Sequence, residues 1–174
     1  NMKLNNDVVE INEKLAGIHP LAVNQTVDKK DQQLRVLEQL LQTEIKMGIV
    51  AVAKTSDGIR ITINSENLFK QGDAQLLPSF QPILEKLALS LEGTKGRVLI
   101  TGHTDDLPIS TDTYPSNWHL SLARATQVAN LMAKSTNLSG RLWPEGKGAA
   151  EPIASNSDSA SRSLNRRIEI DLLF

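Results

Sequence analysis

Three charged side chains stand where the sequence pattern brings charge close to an apolar core: Asp105, Arg124 and Arg166. Asp105 follows the apolar run 97–103, so it lies where a buried strand gives way to a loop, and such loops often present functional groups. A carboxylate binds an ammonium group, and a guanidinium binds a carboxylate through two parallel hydrogen bonds. These side chains therefore have the chemistry to hold a small zwitterion, or to form an internal ion pair that locks a loop.

Arg124 belongs to the segment 116–134, whose apolar spacing predicts an amphipathic helix with Ser116 as a favourable N-cap residue. At about 100° per residue, Arg124 falls on the same face as Leu120 and Val128. A guanidinium at the edge of a core needs a carboxylate, because an unpaired buried charge is strongly destabilising. We therefore expect a carboxylate beside Arg124, and Asn117 on the same face adds neutral hydrogen-bonding groups.

Arg166 lies in a segment of alternating character, 163–172, near the end of the chain. Read as a strand, this segment places Arg166 on the face that carries Ile168 and Ile170, and Arg167 on the opposite face. A second arginine is then directed toward the core. Both interpretations of the charges can hold together, with Arg166 structural and Arg124 facing a ligand.

The elements that must position these residues follow from apolar periodicity and turn residues. In chain order we predict helix 31–46, strands 49–55 and 58–63 around a Ser-Asp-Gly turn, helix 78–91, strand 97–103, helix 116–134, and closing strands in "LWPEGKG" and "RSLNRRIEIDLLF". The long connections between strands favour an α+β fold. We expect a β/α sandwich in which a mixed sheet of about four strands carries helices on one face.

The bulk properties suit one domain and exclude several functions. The chain has 174 residues, of which we assign 1–30 to a polar linker or N-terminal arm and 31–174 to the domain with its leading helix. A formal charge of −1 and 3% aromatic residues argue against nucleic acid as a partner. There is no cysteine, and the longest apolar run, about 47–53, falls short of the roughly 20 residues that span a bilayer.

A hydrolase is the rival interpretation of "GHTDD", since paired carboxylates can perform acid–base chemistry. Asp105 and Asp106 are adjacent, however, and diverge on an extended chain. His103 has no partner at a metal-ligand spacing, and no nucleophile, base and orienting group can be assembled. We predict that the chain is not an enzyme and uses no metal and no cofactor.

Four motifs in order, "TGHTDD", "LSLARA", "GKGAAEPIASN" and "R-x-x-NRRIEI", resemble the OmpA/MotB C-terminal domain, with the resemblance covering about 49–173. Within that family, "LLQTEIKMGIVAV", "LFKQGDAQL" and "YPSNWHLSLARA" are most similar to the extended DotU-type inner-membrane subunit of type VI secretion systems. The flagellar stator protein MotB shares "GHTD" and "YPSNW"-like segments.

The resemblance implies a β-α-β-α-β-type sandwich that binds the peptide stem of peptidoglycan. In many members the ligand is meso-diaminopimelate, whose free end carries an ammonium and a carboxylate. The resemblance carries ligand-binding roles over to Asp105, Asn117, Arg124 and Arg166, with Thr104 and Asp106 flanking the pocket. Asp106 stands where the common pattern has asparagine. Gly72 stands where some relatives place a polar contact, so a contact there would come from the backbone.

The function that the resemblance implies is a non-catalytic periplasmic domain of an inner-membrane protein in a Gram-negative bacterium. It would anchor a type VI secretion membrane complex to the cell wall, with the other subunits of that complex as partners. A single site would bind with millimolar to micromolar affinity, about 4 to 8 kcal/mol, and several copies together would hold firmly. The alternatives are a MotB-type stator anchor and a structural interaction module that has no ligand.

Overall fold

The structure, a computed structural model, describes residues 21–174, with side chains from residue 29 onward. Residues 1–20 of the predicted arm lie outside the described residues. The chain divides into two compact units, 1–33 and 34–174. The second unit holds the sheet and the site described below.

The first helix of the described residues begins earlier than its apolar periodicity predicts. The structure has α1 Leu21–Leu40, α2 Gln42–Lys46, β1 Val50–Lys54, β2 Gly58–Asn64, α3 Ser65–Leu68, α4 Gln81–Leu91, β3 Val98–His103, α5 Asn117–Ala133, a 3₁₀ turn Ser139–Arg141, β4 Leu142–Gly146, α6 Ser159–Asn165 and β5 Arg167–Leu173. Between residue 21 and Gly48 the sequence has neither glycine nor proline, so polar composition alone does not interrupt α1. Gly48, at φ 72°, then ends the helical region.

The strands form one five-stranded mixed sheet in the order β1-β2-β5-β3-β4. Only β3 and β4 are parallel, and the other three neighbouring pairs are antiparallel. The α+β class, the hairpin and the helices in 78–91 and 116–134 are confirmed, and the sheet has five strands rather than about four. The last strand in the sequence, β5, is the central strand of the sheet. It pairs with β2 on one side and with β3 on the other, and so links the early and late parts of the chain.

One face of the sheet is an unbroken apolar surface. Ile61 pairs with Ile170, and Ile170 pairs with Ile100 on its other side, so three buried residues cross the sheet in one row. Helix residues such as Leu84 and Val128 belong to the same core cluster. Each fully buried side chain of this size contributes roughly 1.5–3 kcal/mol. The predicted packing of helices on one face is confirmed.

Two glycines let α5 lie close to the sheet at the end that carries the site. A Cβ atom on Gly102 would stand 2.1 Å from the carbonyl oxygen of Ser121, and one on Gly146 would stand 2.4 Å from the backbone nitrogen of Leu122. Both distances are far below contact, so any side chain would push the helix away. This close approach holds the first turns of α5 over the end of β3.

The opposite face of the sheet carries charge. It contains four interacting side chains that we call the face network: Arg60, Arg167, Glu169 and Asp171. Arg60 donates from Nε and Nη2 to Asp171 at 2.7 and 3.1 Å. Arg167 donates from Nε to Glu169 at 2.8 Å, and the Nη1 of Arg60 lies 3.2 Å from the same carboxylate. Three of the four are buried, so this ion cluster is part of the fold.

Candidate functional site

A cavity of about 500 Å³ opens at the end of the sheet where β3 stops and β5 starts. Residues from five segments line it: α3, the loop after α3, the loop after β3, helix α5, and helix α6 with the residue that follows it. The lining residues are Ser65, Glu66, Phe69, Gln71, Gly72, Asp105, Leu107, Arg124, Ser159, Arg162 and Arg166. Three of the six residues predicted from the sequence are among them: Asp105, Arg124 and Arg166.

Asp105 is held in place from two sides, although it follows directly on a strand end. Its Oδ1 accepts a hydrogen bond from the backbone nitrogen of Leu107 at 3.0 Å, which folds the loop back in a tight turn. Its Oδ2 accepts from Nη1 of Arg166 at 2.7 Å. The carboxylate is buried at the cavity wall, and each oxygen retains a lone pair for a further donor.

Arg166 is not on a strand, which corrects the prediction for 163–172. Residues 159–165 form α6, capped by Asp158, whose Oδ1 accepts from the backbone nitrogen of Ser161 at 2.8 Å. Arg166 is the residue after this helix, and β5 begins only at Arg167. The cap at Asp158 favours a helix over the strand that the alternating residues predict. Leu164 is therefore 57% exposed and does not lie in the core.

The guanidinium of Arg166 bridges two acids at the cavity. It donates to Asp105 and to Glu66, a residue of α3 that the sequence analysis did not single out. Burial opposes the charge of Arg166, but its hydrogen bonds to Glu66 and Asp105 outweigh that effect and raise its pKa. The same bond to Arg166 lowers the pKa of Glu66. This ion triad is the internal pair that one interpretation of the sequence expected.

Arg124 has no carboxylate within 4.0 Å in the described part of the chain, contrary to expectation. Its Nε donates to the carbonyl oxygen of Asp73 at 2.8 Å, and its Nη2 reaches the carbonyl of Lys70 at 3.5 Å. The guanidinium carbon lies 5.0 Å from the centre of the Phe69 ring, a cation–π contact. Burial lowers the pKa of Arg124 to about 10, so the fold itself disfavours the charge it holds.

The loop that bears these groups is tied down by a tyrosine. The hydroxyl of Tyr114 donates to Oδ1 of Asp73 at 3.2 Å and so joins the segment after β3 to the segment after α3. Asp73 also accepts from the backbone nitrogen of Ala74 at 2.7 Å, which lowers its pKa. The bond from Tyr114 to Asp73 therefore joins two of the segments that line the cavity.

The other three predicted residues lie outside the cavity lining, and two of them, Thr104 and Asn117, order the loop. Thr104 donates its hydroxyl to the carbonyl of Asp105 at 2.8 Å, and its backbone nitrogen donates to Gly148. Asn117 donates its side-chain amide to the carbonyls of Asp105 and Leu107 at 3.4 and 3.1 Å. Asp106 and Asn117 border a separate surface cleft that also contains Trp118.

Sequence reasoning missed Glu66 and Arg162. Arg162 and Arg166 are four residues apart, so a helical reading of "SASRSLN" after the cap residue Asp158 would have placed both on one face. For Glu66 the only local signal is Asn64, which caps α3 by accepting from the Glu66 backbone nitrogen at 3.1 Å. The cap does not indicate that Glu66 lines the cavity, because the contact of Glu66 with Arg166 depends on the pairing of β2 with β5.

His103, the histidine of "GHTDD", belongs to the other face of the sheet. It is buried, and its Nε2 lies 3.5 Å from Oε1 of Glu169. Among residues 29–174 no group of three or more histidine, cysteine or acidic side chains is arranged to hold a metal ion. The cavity itself is lined by two acids and three guanidinium groups, which can pair with opposite charges on a ligand.

Residues 68–166 match the family model described as "OmpA family", and this range contains nine of the eleven residues that line the cavity. The chain belongs to the OmpA family. Within the described residues, no helix combines the length and apolarity needed to cross a membrane.

Individual relatives point to cell-wall anchors and to motility proteins. The chain is 42% identical to the cell wall anchor of the type VI secretion system from Pseudomonas aeruginosa, with a TM-score of 0.74 over 79% of this chain and 96% of that one. It is 34% identical to Motility protein B of Bacillus subtilis (strain 168) over 121 residues, which are 68% of this chain and 46% of that protein. A MotB-like protein from Desulfovibrio vulgaris shares the fold, with a TM-score of 0.76 at 23% identity over 84% of this chain and 95% of that one.

The chain spans about half the length of Motility protein B. It is also 33% identical to the probable lipoprotein YiaD of Escherichia coli (strain K12), and that match covers 79% of this chain and 61% of YiaD. The similarity therefore concerns the domain that contains the cavity. Activities of the longer proteins do not transfer with it.

Proposed function

We propose that this chain is a non-catalytic peptidoglycan-binding domain that captures a stem peptide in the cavity lined by Asp105 and Arg124. The observation that carries the proposal is the state of Arg124. Arg124 as a whole residue is 6% exposed, it lines the cavity, and its guanidinium has no carboxylate within 4.0 Å among residues 29–174. A buried arginine of this kind is destabilising unless an anion reaches it, so its placement favours binding of a ligand carboxylate.

The ligand chemistry that fits is a diamino acid end with one ammonium and one carboxylate, as in diaminopimelate. Arg124 offers a planar fork to the carboxylate, whose binding offsets the cost of burying the guanidinium charge. Asp105 and Glu66 together offer carboxylate oxygens to the ammonium group. The Arg166 bridge fixes both acids, so little conformational freedom is lost when the ligand binds.

For the biological role we propose a periplasmic domain of an inner-membrane protein that anchors a type VI secretion membrane complex to the cell wall. The support is 42% identity to a type VI secretion wall anchor across nearly all of that chain. Other subunits of the complex are the proposed partners. Several copies would add their weak single-site affinities into firm attachment.

A flagellar stator anchor is the second candidate, supported by 34% identity to Motility protein B. The same cavity would serve both machines, so the cavity does not separate them. Deletion of the gene in its native host distinguishes the two roles. Loss of effector secretion with normal swimming supports the secretion anchor, and loss of swimming with normal secretion supports the stator anchor.

The binding proposal is tested by co-sedimentation of the protein with purified sacculi. Arg124→Met keeps the length of the side chain and removes its charge, and we expect it to abolish sedimentation. Arg97→Met is the matched control, because Arg97 is exposed at the start of β3 and lies over the Trp143 ring, at the other end of the strand from Asp105. Free diaminopimelate should compete with sacculi for the wild type.

Three results would contradict the proposal. Equal sedimentation of wild type and Arg124→Met would remove the cavity from wall binding. Absence of sedimentation by a folded wild type would favour a structural module whose charges pair internally through Arg166. Release of soluble muropeptides during the incubation would show catalysis, which we do not expect.

A further inference from the structure

The cavity contains more positive charge than one carboxylate needs. Three arginines and two acids line it. Arg166 bridges both acids, Asp105 and Glu66, and so accounts for one of the arginines. Arg124 and Arg162 remain, and no described carboxylate lies within 4.0 Å of either guanidinium. Two separate cationic groups are thus left for whatever occupies the cavity.

Arg162 is held toward the cavity by its backbone contact and not by an acid. Its Nη1 donates to the carbonyl oxygen of Asn156 at 3.2 Å, which fixes one edge of the guanidinium. The nearest acid in sequence, Asp158, caps α6 through Ser161 instead. Arg162 is half-buried, and a guanidinium has five N–H donors, so several remain for a ligand.

The two open arginines come from different walls. Arg124 projects from the middle of α5, and Arg162 projects from α6, with the Asp105 loop also on the lining. Guanidinium groups repel one another, so a ligand with a single carboxylate would neutralise one and leave the other uncompensated. A ligand with two carboxylates compensates both.

This inference rests on the proposed function. We propose that Arg162 binds a second carboxylate, so that the cavity selects a stem peptide ending in a diamino diacid with both of its carboxylates free. Arg124 takes one carboxylate, Arg162 takes the other, and the acids bridged by Arg166 take the ammonium. A stem that continues beyond the diamino acid has its main-chain carboxyl group in an amide bond and loses the contact with Arg162.

The test is a cycle of two proteins and two ligands. The ligands are a synthetic tripeptide, alanyl-γ-glutamyl-diaminopimelate, and the same peptide amidated only at the main-chain carboxylate of diaminopimelate. The proteins are the wild type and Arg162→Gln, and titration calorimetry gives the four dissociation constants. We expect amidation to weaken wild-type binding about ten- to hundredfold, the range for a hydrogen-bonded charged contact.

In Arg162→Gln the free acid and the amide should bind equally, at the level of the wild type with the amide. Arg162→Lys should recover part of the preference, since it retains the charge without the planar fork. Thermal unfolding of each variant checks that α6 is intact.

Two outcomes overturn the inference and leave the proposed function in place: equal binding of both peptides by the wild type, or equal weakening of both by Arg162→Gln. Failure of the wild type to bind either peptide or sacculi overturns both. Sedimentation of Arg162→Gln with sacculi tests the proposed function separately from the role of Arg162. The variant should retain the Arg124 contact and therefore still bind sacculi, although weakly.

Discussion

Two clusters of arginine and acidic side chains lie at different places on the same sheet, and they differ in whether their charges are matched. In the face network, Arg167 donates from Nε to the carboxylate of Glu169. Its other two nitrogens donate to the backbone carbonyls of Asn165 and Glu151, so all three are engaged within the protein. At the cavity, Arg124 donates only to backbone carbonyls and has no acid beside it. The first cluster is closed, and the second is open.

Burial of an arginine therefore does not reveal its role, whereas the groups that accept its hydrogen bonds do. The closed cluster uses the attraction of its charges to stabilise the sheet. In the open cluster, the buried guanidinium of Arg124 has no carboxylate partner, which lowers the stability of the free protein, and an external anion can pair with it. Substitutions should therefore separate stability from binding.

The largest effect is expected where the closed cluster is broken. Glu169→Gln leaves Arg167 buried without a full counter-charge, and loss of one partner of a buried pair costs about 3–5 kcal/mol. Urea unfolding should show this decrease in the free energy of unfolding. Glu151→Gln makes the same chemical change at an exposed residue and should have a far smaller effect. A similar stability for both variants would contradict the description of the network as closed.

Acid should weaken the face network next. Burial alone raises the pKa of Glu169, but His103, Arg167 and Arg60 outweigh it and lower the pKa to about 2 from an ordinary 4.5. Because the folded-state pKa is depressed, the stabilisation is present above pH 4.5 and is lost as the pH falls through about 2. Denaturant unfolding over this window should show a decline of up to about 3 kcal/mol from this group. The decline should be shallower in Glu169→Gln.

At the cavity, removing the acid should cost less. Asp105→Asn keeps the acceptor for the Leu107 backbone nitrogen, and Arg166 retains Glu66 as a partner. We expect a loss of about 1–2 kcal/mol, the scale of one charge-assisted hydrogen bond that is partly replaced. Chemical denaturation gives this value, and sedimentation with sacculi should fall at the same time. A loss as large as that of Glu169→Gln would make Asp105 primarily structural.

The smallest effect on stability is expected at Arg124, where the effect on binding is largest. Its charge is disfavoured by burial, so Arg124→Met should leave the free energy of unfolding within about 1 kcal/mol of the wild type. Calorimetric unfolding measures this, and Arg97→Met serves again as the control. Unfolding of the variant would mean that the carbonyl contacts to Asp73 and Lys70 are essential to the loop.

Much of the fold follows from local pattern. The spacing of Leu84, Leu87 and Leu91 and the cap at Ser116 predict α4 and α5 because helix period and capping are properties of short segments. The pattern failed at 163–166, where the Asp158 cap makes a helix from residues that also alternate. It also failed at the start of α1, where helical residues carry no apolar period to reveal them.

The site was predictable as a set of residue types but not as a set of contacts. Asp105, Arg124 and Arg166 could be named because charge within an apolar pattern is unusual. Thr104, Asn117 and Asp106 have loop-ordering or cleft positions that spacing does not distinguish from ligand contacts. Nothing in the sequence around Glu66 and Arg162 distinguishes them, since acidic and basic residues are common on any protein surface.

Local sequence pattern is enough to place Arg124 at the edge of the core and to locate helices α4 and α5, because periodicity and capping depend on neighbours within a few residues. Which acid each arginine contacts depends instead on how distant segments pack together. That choice follows from the strand order, with the last strand inserted between β2 and β3, and this brings Glu66, Asp105 and Arg166 to one end of the sheet across separations of up to 100 residues. Pairing at such range depends on the whole core, so the open state of Arg124 becomes visible only when the fold is complete.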